Sequence, residues 1–94
     1  MTTGKPWFLY IVECHKGQLY TGVTTDIARR FKEHQGGGPK AAKFLRGKGP
    51  LQLVYHEQLS CHSTALKREI AVKKLTKKQK LTLIQNEAKT HIVS

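Results

Sequence analysis

Residues 7–14, Trp-Phe-Leu-Tyr-Ile-Val-Glu-Cys, form an almost unbroken apolar run rich in aromatic and β-branched side chains. Successive side chains on a strand point to opposite faces, so a run like this needs cover on both. It reads as a central strand of a sheet. Residues 18–24, Gln-Leu-Tyr-Thr-Gly-Val-Thr, read as a second strand. His15-Lys16-Gly17 lies between them and suits a three-residue hairpin loop with its glycine in the left-handed conformation. That loop pairs Cys14 with Gln18, Val12 with Tyr20 and Tyr10 with Gly22, which puts Tyr10 and Tyr20 on one face. A two-residue loop, Lys16-Gly17, would slip the register and part them.

Thr25-Asp26 supplies a helix start, and the first helix runs to about Gln35 before Gly36-Gly37-Gly38-Pro39 stops it. Residues 40–49 are basic, with room for one helical turn, and residues 50–58 read as a third strand. A second helix runs from about Ser63 to Leu75. Thr76-Lys77-Lys78-Gln79 matches a capping box and opens a third, ending near Asn86. Residues 87–94 read as a tail. The order is β-β-α-β-α-α, an α/β (α+β) class, with no repeats and no linker. We expect one domain over residues 1–94 with its core at about 6–80.

A chain of 94 residues makes one domain with a thin core. Seventeen Lys and Arg against six Asp and Glu give a net charge of +11. Such an excess repels itself in a compact fold, and neutralising phosphates would relieve it, so nucleic acid is the first partner to consider. Membrane is not expected: no amphipathic stretch stands out as a membrane surface, and no segment nears the roughly 20 apolar residues of a span. The N-terminus shows no cleavage-site pattern, so we expect a cytoplasmic or nucleoid address. Cys14-His15 and Cys61-His62 are adjacent pairs, whereas zinc motifs use wider spacings, so we expect no zinc and free thiols.

Several positions break the rule that polar side chains face outward. In the first helix Ile27 and Phe31 define an apolar stripe, and Arg30 and His34 stack one turn apart on its edge. They either snorkel along the rim or face a site. In the second helix Ala65, Leu66, Ile70 and Val72 share a wide face with Glu69 in its middle, while Lys67, Arg68 and Lys74 project from the other side. A carboxylate there needs compensation: an ion pair, for example to Arg30, or a divalent cation in an open cleft. Tyr10 and Tyr20 read equally as ordinary strand residues.

Taken together these residues resemble the GIY-YIG nuclease family. Phe8-Leu9-Tyr10 stands for its Gly-Ile-Tyr and Tyr20-Thr21-Gly22 for its Tyr-Ile-Gly. Arg30 with His34, and Glu69 on a later helix, match its arginine, following histidine and glutamate. The ten-residue intervals from Tyr10 to Tyr20 to Arg30 also fit. The match spans about residues 6–80 and looks closest to the small stand-alone bacterial YhbQ-like branch.

The resemblance implies a three-stranded antiparallel sheet flanked by helices. It also implies a metal-dependent endonuclease that hydrolyses phosphodiester bonds in DNA, in repair or processing. One Mg²⁺ or Mn²⁺ would sit on Glu69, Tyr10 would act as base or relay for water, Arg30 would clamp the phosphate, and Tyr20 and His34 would orient water or phosphate. Gly22 leaves room for the approach. Two departures stand out: no asparagine occurs between Glu69 and Asn86, where many members carry one, and Val23 stands where some have a lysine. A nucleic-acid-binding accessory module that keeps the fold without turnover is the competing function.

Lys40, Lys43, Arg46 and Lys48 cluster in the glycine-bounded loop, and Lys73, Lys74 and Lys77 fall in a segment whose only acid is Glu69. We expect these to contact phosphates, with DNA ahead of RNA as partner. The oligomeric state is open in the sequence, although one site per chain would need a dimer or two visits to cut both strands.

Overall fold

The computed structural model describes residues 6–93, with side chains as far as residue 86. Its elements are β1 (Trp7–Glu13), β2 (Leu19–Thr24), α1 (Ile27–Gly36), a 3-10 turn (Lys43–Leu45), β3 (Gln52–Leu59), α2 (His62–Lys73) and α3 (Lys77–Val93). The three strands form one antiparallel sheet in the order β2-β1-β3. The apolar run therefore takes the central place. Leu9, Ile11 and Val12 are fully buried and Tyr10 nearly so, which accounts for the missing polar alternation.

The hairpin adopts the three-residue loop. Gly17 has φ 87°, its N–H bonds the Cys14 carbonyl at 2.8 Å, and Cys14 N–H bonds Gln18 at 2.8 Å. Tyr10 lies opposite Gly22 and Val12 opposite Tyr20, as that loop requires. Between Ile11 and Val12 the register with β3 shifts, from Ile11 opposite Tyr55 to Val12 opposite Leu53. Val54 is the extra residue of this bulge.

Each face of β1 has its own core. Tyr10, Val12 and Cys14 pack with Leu45 and Leu51, joined by Tyr20, Phe31 and Leu53. Leu9 and Ile11 pack with Tyr55 and Val72, joined by Leu75, Leu83 and Ile84 from the end of α2 onward. Removing a side chain such as Ile11 from so thin a core costs about 2–5 kcal/mol in comparable sites.

Local chemistry sets the helix ends. Asp26 caps α1 by accepting the Arg29 N–H at 3.0 Å, and Gly37 closes it at φ 67°. Thr76 and Gln79 satisfy each other's N–H groups at 2.9 and 3.1 Å, a reciprocal capping box at the start of α3. The α3 backbone continues to Val93, beyond the stop expected near Asn86. Residues 87–93 contain neither glycine nor proline to end it. Ser94 lies outside the described residues, as do residues 1–5.

The buried side of α2 is rotated from the expected one. Ala65 and Val72 are fully buried, but Leu66 is 40% and Ile70 56% exposed. Arg68, expected to project to solvent, instead faces β3 and pairs with Glu57 at 2.7 Å, while the Tyr55 hydroxyl donates to the same carboxylate. Long-range pairing with a strand carboxylate turned the helix. Among the described residues no helix is long and apolar enough to cross a membrane.

Candidate active site

The sheet register sets the first side of the site. Tyr10 and Tyr20 project from the same face with ring centroids 6.4 Å apart. Tyr10 lies over Gly22, where a Cβ would sit 2.5 Å from its hydroxyl oxygen and 2.8 Å from Cζ. Any side chain at position 22 would push the Tyr10 ring out of place.

Helix α1 supplies the second side. His34 is 1% exposed, and its ring centroid lies 5.9 Å from that of Tyr10 and 5.6 Å from that of Tyr20. Its Nδ1 accepts the backbone N–H of Ala42 at 3.2 Å, and its Nε2 lies 2.9 Å from the Tyr10 hydroxyl. Burial, aided by the Arg30 charge, pulls the imidazole down to about 4, so the ring is neutral at pH 7. A neutral ring whose Nδ1 accepts must carry its proton on Nε2. His34 therefore donates to Tyr10, and the Tyr10 O–H remains free to donate elsewhere.

Burial also pushes the Tyr10 phenol up to about 12, with repulsion from Tyr20 adding to it and Arg30 opposing it. A smaller upward push comes from Glu69, which places that carboxylate within electrostatic reach. The Arg30 Nη1 donates to Glu33 at 2.9 Å and to the Lys40 carbonyl at 2.6 Å. The guanidinium keeps further donors beyond these two bonds.

Glu69 stands on the edge of α2 nearest the buried side, with 18% of its side chain exposed. Of the two compensations open in the sequence, an ion pair is formed, though not with Arg30, which pairs with Glu33. The partner of Glu69 is Lys73, one turn on and half exposed, at 3.1 Å. An i,i+4 pair of this exposure contributes only about 0.3–0.5 kcal/mol, so a cation can displace the lysine. Among the described residues no three His, Cys, Asp or Glu converge as a metal cage. One carboxylate does suit a hard dication that takes its other ligands from water and substrate phosphate.

The basic loop is fastened to this cluster at three points. Lys40 is held through its carbonyl by Arg30, Ala42 through its N–H by His34, and Phe44 lies nearly parallel to Tyr20, 6.0 Å between centroids. Lys40, Lys43 and Arg46 are exposed, and Lys48 places its ammonium 3.6 Å from the Phe44 ring centre. Lys73 adjoins the site through Glu69, and Lys74 is exposed at the end of α2. Lys77 stands against the hairpin, within 3.4 Å of where a Gly17 side chain would begin.

Residues 6–82 match the sequence model of the GIY-YIG catalytic domain. The chain belongs to the GIY-YIG family. It is 52% identical to a UPF0213 protein of Cronobacter sakazakii over 86% of this chain and 83% of that one. It is 49% identical to UPF0213 protein YhbQ of Escherichia coli K12, over 88% and 81% respectively. Among solved structures, the UPF0213 protein BH0048 of Bacillus halodurans is similar with a TM-score of 0.55 and 40% identity, covering 85% of this chain and 83% of that one. The protein EF2693 of E. faecalis gives 0.60 and 34%, covering 98% and 93%.

In this GIY-YIG domain the spacing from Tyr10 to Tyr20 to Arg30 is the linear trace of a strand, a return strand and one helical turn converging. Three features had no usable linear signal. The Ala42 N–H that fixes the His34 tautomer is a backbone group in a loop. The Arg30–Glu33 pair competes with longer-range partners that look equally good on paper. Phe44 is a lone aromatic among lysines, and only the fold sets it beside Tyr20.

Proposed function

We propose that the chain is a divalent-metal-dependent endonuclease that hydrolyses phosphodiester bonds in DNA, in repair or processing. The observation that carries this reading is the convergence of Tyr10, Tyr20, Arg30 and His34, with Glu69 in reach and unpaired to Arg30, beside a loop of four cations. Membership of the GIY-YIG family supports it.

Phosphates of the strand lie along Lys40, Lys43, Arg46 and Lys48, with Lys73 beside Glu69. Arg30 turns its remaining donors to a non-bridging oxygen of the scissile phosphate, a fork geometry suited to phosphate. Glu69 would hold Mg²⁺ or Mn²⁺, as a single carboxylate suits a hard dication. When bound, the dication supplies positive charge against the charge developing on the phosphate and against the Tyr10 anion.

Tyr10 accepts the proton of the attacking water. At about 12 its phenol is a neutral, poor base in the free protein, so the site must first lower it. His34 contributes a hydrogen bond to the phenol oxygen, which favours the anion, and Arg30 contributes charge. Tyr20 closes the side of the cluster toward the basic loop and offers a hydroxyl to water or phosphate.

The test is a nicking assay on supercoiled plasmid, duplex, flap and single-stranded DNA, and matching RNA, with Mg²⁺, Mn²⁺ or chelator. Metal-dependent cleavage of DNA that Tyr10→Phe removes supports the proposal. Binding without cleavage under every condition leaves the accessory-module reading in its place.

A further inference from the structure

Phe44 is 41% exposed in the 3-10 turn of the basic loop. A single exposed apolar residue is common and by itself means little. This one is placed by more than exposure. Its ring lies nearly parallel to that of Tyr20, and the segment just before it is tied at Lys40 to Arg30 and at Ala42 to His34. Lys40, Lys43, Arg46 and Lys48 surround it in sequence, and no acidic residue occurs between Glu33 and Glu57. The Lys48 ammonium sits 3.6 Å from the ring centre, a cation–π contact.

We propose that Phe44 is the platform on which an unpaired nucleobase beside the bound phosphate stacks, with Lys48 covering that platform in the free protein. The proposal rests on the nucleic-acid reading above and narrows it to strands with unstacked bases. Lysine is a flexible point charge, so Lys48 can leave the ring for a phosphate when a base arrives. The flanking cations hold the sugar–phosphate chain while the ring takes the base, the usual division of labour at single-stranded sites. Duplex DNA keeps its bases stacked on one another and offers the ring nothing to stack with. Phe44 is a positioning residue here, since it contacts the substrate strand through a base and not the reacting atoms.

The experiment measures binding of the full chain in chelator, by fluorescence anisotropy, to a labelled 12-nucleotide oligo-dT and to a blunt DNA hairpin duplex. Wild type, Phe44→Leu and Phe44→Trp are compared, with circular dichroism to check folding. Leucine keeps the bulk against Tyr20 and removes the π-face. The expected result is a roughly 5- to 100-fold loss of oligo-dT binding in Phe44→Leu, with duplex binding within about twofold and recovery in Phe44→Trp. Unchanged oligo-dT binding, equal losses on both probes, or a loss that tryptophan does not recover overturns the proposal. Wild type that binds neither probe overturns the nucleic-acid reading itself, and this inference with it.

Discussion

The Tyr10 hydroxyl and His34 Nε2 stand 2.9 Å apart although 24 positions separate them in the chain. The other ring nitrogen is already committed to the Ala42 N–H at 3.2 Å. One imidazole thus fixes both the phenol in the sheet and the start of the basic loop. Replacing it with His34→Phe keeps an aromatic ring and leaves a buried hydroxyl and a backbone N–H without their partner. We expect a stability loss of about 2–6 kcal/mol, from about 1–3 kcal/mol for each unsatisfied group, read from urea denaturation.

His34 also makes stability depend on pH. Its folded value of about 4 lies below the ordinary 6.5, so the unfolded chain binds the proton first. The contribution is complete above pH 6.5 and is lost as pH falls from there toward 4. Its full size is about 3 kcal/mol, from 1.36 kcal/mol per pH unit. Urea midpoints measured at half-unit steps should decline through this window, and the decline should be shallower in His34→Phe.

Gly22 and Tyr10 form a second coupled pair. With a Cβ 2.5 Å from the hydroxyl, Gly22→Ala displaces the ring, and overpacking of this kind costs about 1–3 kcal/mol. The Tyr10→Phe, Gly22→Ala double variant should recover part of that loss, because the nearest clashing atom is gone. A double-mutant cycle on thermal stability reads the coupling directly.

Much of the arrangement behind these predictions was legible in the linear chain, for local reasons. Gly17 permits the left-handed loop residue, and that loop alone aligns Tyr10, Gly22 and Tyr20. Asp26, and Thr76 with Gln79, cap helices through groups three residues apart. The failures were of two kinds, one set by a long-range contact and one by short-range pairs. Leu66 and Ile70 look like core on a helical wheel, but the Glu57–Arg68 pair turns α2 so that they face water. Arg30 and Glu69 looked like natural partners, yet Glu33 and Lys73 lie one turn away on their own helices and take those places. Short-range ion pairs need no tertiary closure, which a reading by residue type alone does not weigh.

The loop cations should appear in the salt dependence of binding. If about five phosphates are neutralised, the slope of log K against log salt for duplex DNA is about −4 to −5. Lys43→Ala, an exposed loop position, should bring it about one unit nearer zero with little effect on folding. Filter binding between 50 and 300 mM salt, a range of about sixfold, resolves that difference.

The most direct test of the site is single-turnover DNA cleavage with Mg²⁺ or Mn²⁺, wild type beside Glu69→Ala, with DNA affinity measured on the same preparations. Loss of cleavage by about 100-fold or more with affinity within a few-fold is the expected result, since on the proposed mechanism the carboxylate would hold a dication whose charge acts on the reacting phosphate. Glu69→Ala cleaving at the wild-type rate with the same metal requirement would contradict it.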